Sequence, residues 1–496
     1  MKYFFFFIIS AFLFTSCSVS KSNYNPNKKF SPLELKEDLS LARNILEKKH
    51  PSLYWYTPKD SMNLCFDSLY TSIKDSMTEL QFGWNILAPL TSRIRCGHTS
   101  FGMSKGWNEF IKDRRIPSFP LYMKVWSDTM VVSVNLNRKD SLIKRGTLIT
   151  SVNGIKNKDL ISKMFKYMPL DGYADNVSYV RLSSNFPFFH RNIFGIYKNY
   201  RVGYIDSTGI EKTTLLPMYV QEIDTTKKKK KIVLPKKSRV QRMLERRESF
   251  RSLTIDTTEN TATIYLSTFS KGEGKRLRAF FRQSFKKIRK EKVKNVILDL
   301  RSNGGGDIGM YILLTKYLRK TPFKVADSTY AVTKTLKPYS KYFKQRFINN
   351  LGLFISTKKK KDGNYHFGYW ERHFFYPKTK NHFNGKLYVL INGPTFSAST
   401  LFCNAVKGQD NVVLAGEETG GGWHGNSGIF IPDITLPHTH LRLRIPLFRL
   451  VQYNHVPKDG SGIPPEMYVP PTVDAVKNIV DRKMMIVKEM IRTKKG

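Results

Sequence analysis

A serine stands where an apolar run meets a helix-like run late in the chain. Residues 387–391 are apolar, residues 392–400 read Asn-Gly-Pro-Thr-Phe-Ser-Ala-Ser-Thr, and residues 401–407 have a helical pattern. The free N–H groups and the dipole at a helix N-terminus stabilise negative charge, so a serine alkoxide or an oxyanion is favoured there. Thr395, Ser397 and Ser399 have an alternative role as helix caps, which is common for Ser and Thr at such a junction. Taken alone, the junction favours capping.

A glycine-rich segment upstream changes that balance. Residues 296–306 read Val-Ile-Leu-Asp-Leu-Arg-Ser-Asn-Gly-Gly-Gly and precede an apolar-periodic stretch at residues 308–318, a pattern that predicts a strand, a glycine turn and a helix. The glycines lack the spacing of a dinucleotide fold and the Lys-Ser/Thr ending of a P-loop, so nucleotide binding is the poorer interpretation. Three glycines do allow backbone N–H groups to approach a reacting carbonyl closely.

Four motifs together resemble those of the carboxyl-terminal processing (tail-specific) proteases and their relative, the tricorn core protease. Residues 299–306 resemble the family's oxyanion-hole segment, and residues 395–399, Thr-Phe-Ser-Ala-Ser, resemble its nucleophile segment. Residues 416–422, Gly-Glu-Glu-Thr-Gly-Gly-Gly, follow at the usual distance. Residues 459–466, Asp-Gly-Ser-Gly-Ile-Pro-Pro-Glu, resemble the closing Gly-x-x-Pro-Asp stretch. Their order and spacing over residues 290–470 carry the resemblance.

The resemblance implies a fold, a site and a substrate class. It implies an α/β protein with a ClpP/crotonase-like catalytic core, and protein or peptide substrates engaged through their C-terminal tails. Ser397 maps to the nucleophile, with Ser399 as the fallback. The N–H groups of Ala398 and of Gly304 or Gly305 would hold the oxyanion. No metal or organic cofactor is needed for this chemistry.

The chain departs from the family at the general base. The processing proteases use a lysine, whose place falls at Gly422, and no lysine occurs between Lys407 and Lys458 in a chain with 83 Lys and Arg. Either another group activates Ser397, or the site is inactive. The second case is the alternative function: a peptide- or polymer-binding protein on the same scaffold.

His98 is the best candidate for the replacement base. It lies in residues 95–100, Arg-Cys-Gly-His-Thr-Ser, where the tricorn branch is similar and takes its catalytic histidine. An unperturbed histidine has a pKa near 6.5, which suits a general base at neutral pH. His424 is the rival base because it lies next to the lysine's expected place. By position against the tricorn-like pattern, the group that orients His98 is Asp459.

The N-terminus has the pattern of a bacterial lipoprotein signal. Residues 1–17 combine a short positive region, an apolar run of eleven residues and Leu-Phe-Thr-Ser-Cys, which resembles a lipobox ending at Cys17. The apolar run is too short to span a membrane. We therefore expect a lipid anchor at Cys17 and a cell-envelope location, on the outer membrane facing the periplasm. An ordinary signal peptide with an incidental cysteine is the alternative.

Charge and cysteine content bear on whether the protein binds nucleic acid or zinc and whether it contains disulfides. The net charge is +44, spread along the chain, but the export signal and the lack of a recognition motif argue against nucleic acid. No Cys-x-x-Cys spacing occurs, so neither a zinc site nor a disulfide framework is indicated. Cys65 and Cys96 are a conceivable pair in an oxidising periplasm, and Cys403 is expected in the core.

The chain is too long for one core and divides into several regions. We predict a tether at residues 18–30, a helical region at 31–114, a PDZ-like domain at 115–218, a basic linker at 219–258 and a protease core at 259–496 with an insertion at about 320–385. The PDZ-like interpretation depends on residues 142–154, where a strand ends in an Asn-Gly turn before a helix. An unrelated β-rich insertion is the alternative.

Overall fold

The structure, a computed structural model, describes residues 24–221, 237–272 and 276–493. The predicted signal peptide, the lipobox with Cys17 and the first six residues of the tether lie outside these ranges. Within them, no helix combines the length and the hydrophobicity that crossing a bilayer requires.

The N-terminal region is mainly helical, as predicted. Ser31 and Glu34 form a capping box at its first helix, with each side chain accepting from the other residue's backbone N–H. Its apolar faces share a core with residues from the C-terminal half, including Ile434 and Leu443. The elements are β1 (Lys29–Phe30), α1 (Pro32–Lys49), α2 (Lys59–Ser72), β2 (Met77–Thr78), α3 (Glu79–Phe82), a π-helical turn (Gly83–Leu87), α4 (Ala88–Arg93), β3 (Ser100–Gly102) and α5 (Lys105–Ile111).

The middle region folds around one antiparallel sheet in the order β4-β5-β6-β8-β9, with β7 paired to β6. Asn153 and Gly154 both have positive φ in the predicted Asn-Gly turn between β6 and β7. The elements are β4 (Leu121–Trp126), β5 (Thr129–Asn135), β6 (Leu148–Val152), β7 (Ile155–Lys156), α6 (Asn157–Phe165), α7 (Asn176–Phe194), β8 (Asn199–Ile205) and β9 (Glu211–Pro217). The PDZ-like assignment of this sheet stays a prediction.

The predicted linker contains regular structure, and its last part contributes a strand to the core sheet. α8 (Arg239–Glu248) begins at the capping residue Ser238 and is followed by β10 (Arg251–Asp256). β10 pairs antiparallel with the next strand over all six of its residues and is therefore the edge of the core sheet. Its short alternating pattern was hidden by the surrounding basic residues.

The predicted core region is an α/β layer structure, which confirms the predicted class. Its sheet has the order β10-β11-β12-β16-β17-β22, and every neighbour pair from β11 onward is parallel. The central strands are almost wholly buried, as expected for a parallel sheet covered on both faces. The elements are β11 (Thr261–Leu266), α9 (Leu277–Lys290), β12 (Asn295–Asp299), α10 (Ile308–Leu318), β16 (Lys386–Ile391), α13 (Ala398–Val406), β17 (Val412–Gly416) and β22 (Met467–Tyr468).

The predicted insertion joins a second sheet, β14-β15-β13-β21-β18, that mixes insertion strands with later core strands. It comprises β13 (Ala326–Ala331), a 3-10 turn (Ser340–Tyr342), α11 (Arg346–Ser356), β14 (Lys358–Lys359), β15 (Tyr365–His366) and α12 (Gly368–Arg372). The later strands are β18 (Gly425–Ile429), β19 (Asp433–Thr435), β20 (Arg442–Arg444) and β21 (Phe448–Gln452). β20 pairs with β19 and also with β3, which fastens the N-terminal region to the core.

The C-terminus differs from prediction. The apolar pattern of residues 473–491 predicts a single helix, but two helices form, α14 (Val473–Lys477) and α15 (Arg482–Thr493). Ile479 has a φ of 57°, which an α-helix cannot accommodate, and this ends the first helix.

Cys65, Cys96 and Cys403 are all free thiols, and Cys403 is buried as predicted.

Candidate functional site

Ser397 stands between β16 and α13 in a strained backbone conformation. Its φ is 55° and its ψ is −122°, a region that residues other than glycine rarely occupy. It holds the N-cap position of α13, yet its side chain makes no capping hydrogen bond. The capping alternative therefore does not hold for Ser397. Such strain persists only where the surroundings impose it, and it concentrates at functional sites.

The nucleophile loop is tied to the glycine-rich loop by hydrogen bonds. Thr395 Oγ1 donates to the carbonyl of Leu300 over 2.9 Å, and the Phe396 N–H donates to the carbonyl of Asn303 over 3.1 Å. The Asn303 side chain is buried and reaches back to the carbonyl of Leu266 over 2.9 Å. The two segments that the motifs singled out are thus one rigid unit.

Gly305 is required where the two loops touch. Its φ is 96°, and a Cβ on it would lie 2.7 Å from Ser397 Cβ, closer than side chains approach each other. Its N–H donates to Asn303 Oδ1 over 3.0 Å and is therefore engaged. Among the described residues, the N–H groups of Gly304 and Ala398 donate to no acceptor. Of the predicted oxyanion donors, these two are free.

His98 lies beside Ser397. A Cβ built on Gly428 of β18 would lie 3.0 Å from His98 Nε2 and 3.1 Å from Ser397 Oγ, so both atoms face the same small space. No hydrogen bond joins them in the described part of the chain, and catalytic contacts of this kind often close only when substrate binds. The imidazole packs on the Phe396 ring at a centroid distance of 4.9 Å.

The other face of His98 is buried and polar. Its Nδ1 has no hydrogen-bond partner within residues 24–221, 237–272 and 276–493. Burial lowers the pKa of His98 below its ordinary 6.5, while the Asp171 carboxylate opposes that shift and the Arg444 and Arg449 guanidinium groups add to it. The lowered pKa favours the neutral imidazole, which is the form that can accept a proton.

Asp171 is the carboxylate that the sequence interpretation missed. It is buried in the loop between α6 and α7, and its Oδ1 accepts from the Gly97 N–H over 2.7 Å. One ligand atom each from Asp171, His98 and Cys96 lie within 4.8 Å of one another. The Gly172 N–H donates to the Arg95 carbonyl over 3.0 Å, which fixes this loop on the histidine segment.

The prediction that Asp459 orients His98 is wrong in this structure. Asp459 is exposed, and its Oδ1 accepts from the Ser461 N–H over 2.8 Å and from the Ser461 hydroxyl over 2.7 Å. The neighbouring Gly460 carbonyl accepts from the Tyr173 N–H over 2.8 Å. The Asp459 loop thus supports the Asp171 loop, and its carboxylate faces solvent.

The lysine's expected place opens onto Asp171. A Cβ on Gly422 would lie 3.6 Å from Asp171 Cβ and 3.8 Å from Tyr56 Oη, so a side chain there would enter the polar pocket behind His98. His424, the rival base, is engaged elsewhere: its Nδ1 lies 3.0 Å from the Val456 carbonyl oxygen. The structure brings together Ser397, His98 and Asp171.

The fallback nucleophile is not accessible to a substrate. Ser399, the fallback nucleophile, is fully buried and its hydroxyl has no partner in the described residues, so a substrate carbonyl cannot reach it.

Cys96, His98 and Asp171 form the one group in the described ranges that could offer three ligand atoms to a metal ion. Their thiol, imidazole and carboxylate are ligand types that zinc binds. Burial raises the pKa of the Cys96 thiol to about 11, so it is protonated at neutral pH.

Three comparisons show which known proteins this chain is similar to. Residues 260–469 match Peptidase family S41. The chain is 12% identical to mature CPAF in complex with lactacystin, with a TM-score of 0.61 over 93% of this chain and 99% of that chain. It is 15% identical to the photosystem II D1 C-terminal processing protease, with a TM-score of 0.36 over 91% of this chain and 98% of that chain. It is 12% identical to the tricorn protease, with a TM-score of 0.39 over 93% of this chain and 37% of that chain.

No curated protein sequence matches the chain. At 12% identity, the likeness to CPAF shows a shared fold. The matched residues include both loops that frame Ser397 and stop short of His98 and Asp171, which come from regions before residue 260. Residues 260–469 thus resemble peptidase family S41, and the chain as a whole has a fold similar to that of CPAF.

Proposed function

We propose that this chain is an exported serine peptidase of the tail-specific type, with Ser397 as nucleophile, His98 as general base and Asp171 as the group that orients His98. The observation that carries the proposal is the convergence of Ser397 Oγ and His98 Nε2 on Gly428. A serine that is strained, free of capping and adjacent to a neutral imidazole has the parts of an activated nucleophile.

The chemistry follows from these positions. Ser397 Oγ attacks the scissile carbonyl carbon while its proton passes to His98 Nε2. The oxygen of the tetrahedral intermediate is negative and accepts from the free N–H groups of Ala398 and Gly304, and the positive end of α13 adds to its stabilisation. Collapse breaks the C–N bond, and His98 gives its proton to the leaving amine. A water molecule then hydrolyses the acyl-serine ester by the same steps.

Asp171 supports the charged form of His98. Proton transfer leaves an imidazolium in a buried site, which is costly without a nearby anion. The Asp171 carboxylate supplies that anion, and the Gly97 N–H holds it at a fixed distance from the histidine segment. It thereby takes the orienting role expected of Asp459.

The substrate and the location complete the proposal. The sheet of β4–β9 has open edges to which an extended peptide can add as a further strand, as a PDZ-like module does with a C-terminal tail. The start of α7 contacts the core beside the nucleophile loop, with Asn176 Nδ2 3.3 Å from Asn392 Oδ1. Lipidation at Cys17 would hold the enzyme on the outer membrane facing the periplasm.

A serine-reactive fluorophosphonate probe tests the nucleophile. We expect labelling of the folded exported chain, with mass spectrometry placing the adduct on Ser397. Ser397→Ala should abolish labelling, and the matched control Ser399→Ala should keep it. Labelling that persists in Ser397→Ala contradicts the mechanism. An unlabelled wild-type chain that still binds peptides supports the alternative, a binding protein on an inactive scaffold.

A further inference from the structure

Helix α11 presents an apolar face to solvent. Phe347, Ile348, Leu351, Phe354 and Ile355 are between 45% and 76% exposed, and their spacing places them along one stripe of the helix. Only Asn349 and Leu353 of this helix are buried. Five large apolar side chains on eleven residues form a contiguous exposed patch, and patches of this kind mark interaction surfaces.

The segments that flank α11 are strongly basic. Between Asp327 and Asp362 the chain has nine Lys and Arg and no Asp or Glu. The cations lie on both sides of the helix: Lys334, Lys337, Lys341, Lys344 and Arg346 at its start, and Lys358, Lys359, Lys360 and Lys361 after its end. An apolar stripe with cations at both ends matches an anionic lipid surface, where apolar side chains enter the headgroup boundary and cations meet phosphate.

The described chain begins near the start of α11. Tyr24 and Lys28 line a cavity together with Lys344, which precedes α11 by two residues. The seven residue steps from Cys17 to Tyr24 reach at most about 25 Å when fully extended. A chain attached to a bilayer near Cys17 therefore keeps this face within reach of the lipid, which favours a membrane over a second copy of the protein as the occupant.

We infer that α11 and its basic flanks bind the surface of an anionic phospholipid bilayer, with the apolar stripe inserted at the headgroup boundary. A peripheral contact of this kind adds to the binding that a lipid anchor provides. The contact would also fix how the protein sits on the membrane. This inference rests on the proposed lipid anchor at Cys17 but not on the peptidase chemistry, because none of its residues belongs to the site around Ser397.

Vesicle binding tests the inference. Residues 18–496, the exported chain without its acyl group, would be sedimented with vesicles of phosphatidylcholine alone or mixed with phosphatidylglycerol. We expect binding to the mixed vesicles that weakens with added salt. The double variant Phe347→Ser/Phe354→Ser should bind about tenfold more weakly. The control Leu33→Ser/Leu64→Ser removes two equally exposed apolar side chains from α1 and α2 and should leave binding unchanged.

Thermal melts of both variants would establish that each folds like the wild type. The inference is overturned if the exported chain does not bind the mixed vesicles, or if both double variants bind them as the wild type does. It is also overturned if the α11 variant keeps its lipid binding but changes a dimer into a monomer, which would assign this face to a second copy of the chain.

Discussion

His50 and His98 are both buried, and His50 contacts Thr99, the residue that follows His98. The ring nitrogens of the two histidines nevertheless have different partners. His50 Nδ1 accepts from the Ser52 N–H over 3.1 Å, so its Nε2 carries the proton and donates to Thr99 Oγ1 over 2.6 Å. His98 has an unpaired Nδ1 and an Nε2 that faces the serine hydroxyl. A fully satisfied polar group serves the fold, whereas an unsatisfied buried one needs another explanation.

The comparison distinguishes a histidine that stabilises the fold, His50, from one that is available for catalysis, His98. Burial lowers the pKa of His50 to about 3, so it remains neutral and keeps its two hydrogen bonds at any physiological pH. The Ser52 hydroxyl extends this network to the Ser427 hydroxyl over 2.6 Å, which fixes the N-terminal region on β18. His98 has Asp171 nearby to support a positive charge, and His50 has no such carboxylate among the causes of its shift.

Replacement of each candidate base gives the largest expected contrast. His98→Ala should lower kcat/KM on a peptide substrate by at least about a thousandfold, because His98 Nε2 is the basic nitrogen that faces the same space as Ser397 Oγ. His424→Ala is the matched control and should stay within about threefold of wild type, since His424 Nδ1 is held by the Val456 carbonyl. Full activity of His98→Ala would refute the assignment of the base.

Replacement of each candidate orienting carboxylate gives the next largest effect. Asp171→Asn should lower kcat by about a hundredfold or more, and Asp459→Asn should leave it nearly unchanged. Asp171 raises the pKa of His98 against burial, so its loss lowers that pKa further. The acid limb of the kcat/KM profile should therefore move to lower pH in Asp171→Asn. A limb that stays in place would show that Asp171 does not act through His98.

The shared space at Gly428 can be filled directly. Gly428→Ala adds a methyl group 3.0 Å from His98 Nε2 and 3.1 Å from Ser397 Oγ, so the two side chains must move apart. We expect kcat to fall by about tenfold to a hundredfold while the melting temperature changes little. Unchanged kcat in a folded variant would mean that the two groups do not meet there.

His50→Gln should alter stability and its pH dependence more than activity. The folded pKa of His50 is about 3 and the unfolded value is about 6.5, so below pH 6.5 the unfolded state binds a proton that the folded state does not. As the pH is lowered from 6.5 to 3, this residue should therefore decrease the free energy of unfolding by about 1.4 kcal/mol for each pH unit. Urea titrations at two pH values should show a steeper loss in wild type than in His50→Gln.

The parts of the site that local patterns encode were predicted from sequence. Ser397 and the glycine loop are each read from a strand, a turn and a helix in sequence, and the alternating strands and helices gave the α/β class. Asp171 could not be found in this way. It reaches His98 only because the Gly97 N–H and the Gly460 carbonyl hold its loop from two other regions of the chain.

The error at Asp459 has a related cause. Asp459 lies in a loop of Pro, Lys and Gly, where no periodic pattern fixes the register of the motif. It is adjacent to Gly460, whose carbonyl supports the Asp171 loop. The predicted position was therefore next to the right contact, on the wrong chain segment. The pairing of insertion strands with β21 was hidden for the same reason, since registers between distant segments depend on tertiary packing.

The pH dependence of fluorophosphonate labelling at Ser397 tests the central claim most directly, because it measures activation of the serine without a peptide substrate. The account predicts that the labelling rate of the wild type rises with pH through a single titration below 6.5, the lowered pKa of His98, and that His98→Ala labels slowly with no such titration. Equal rates and equal pH profiles in the two proteins would contradict the claim that His98 activates Ser397.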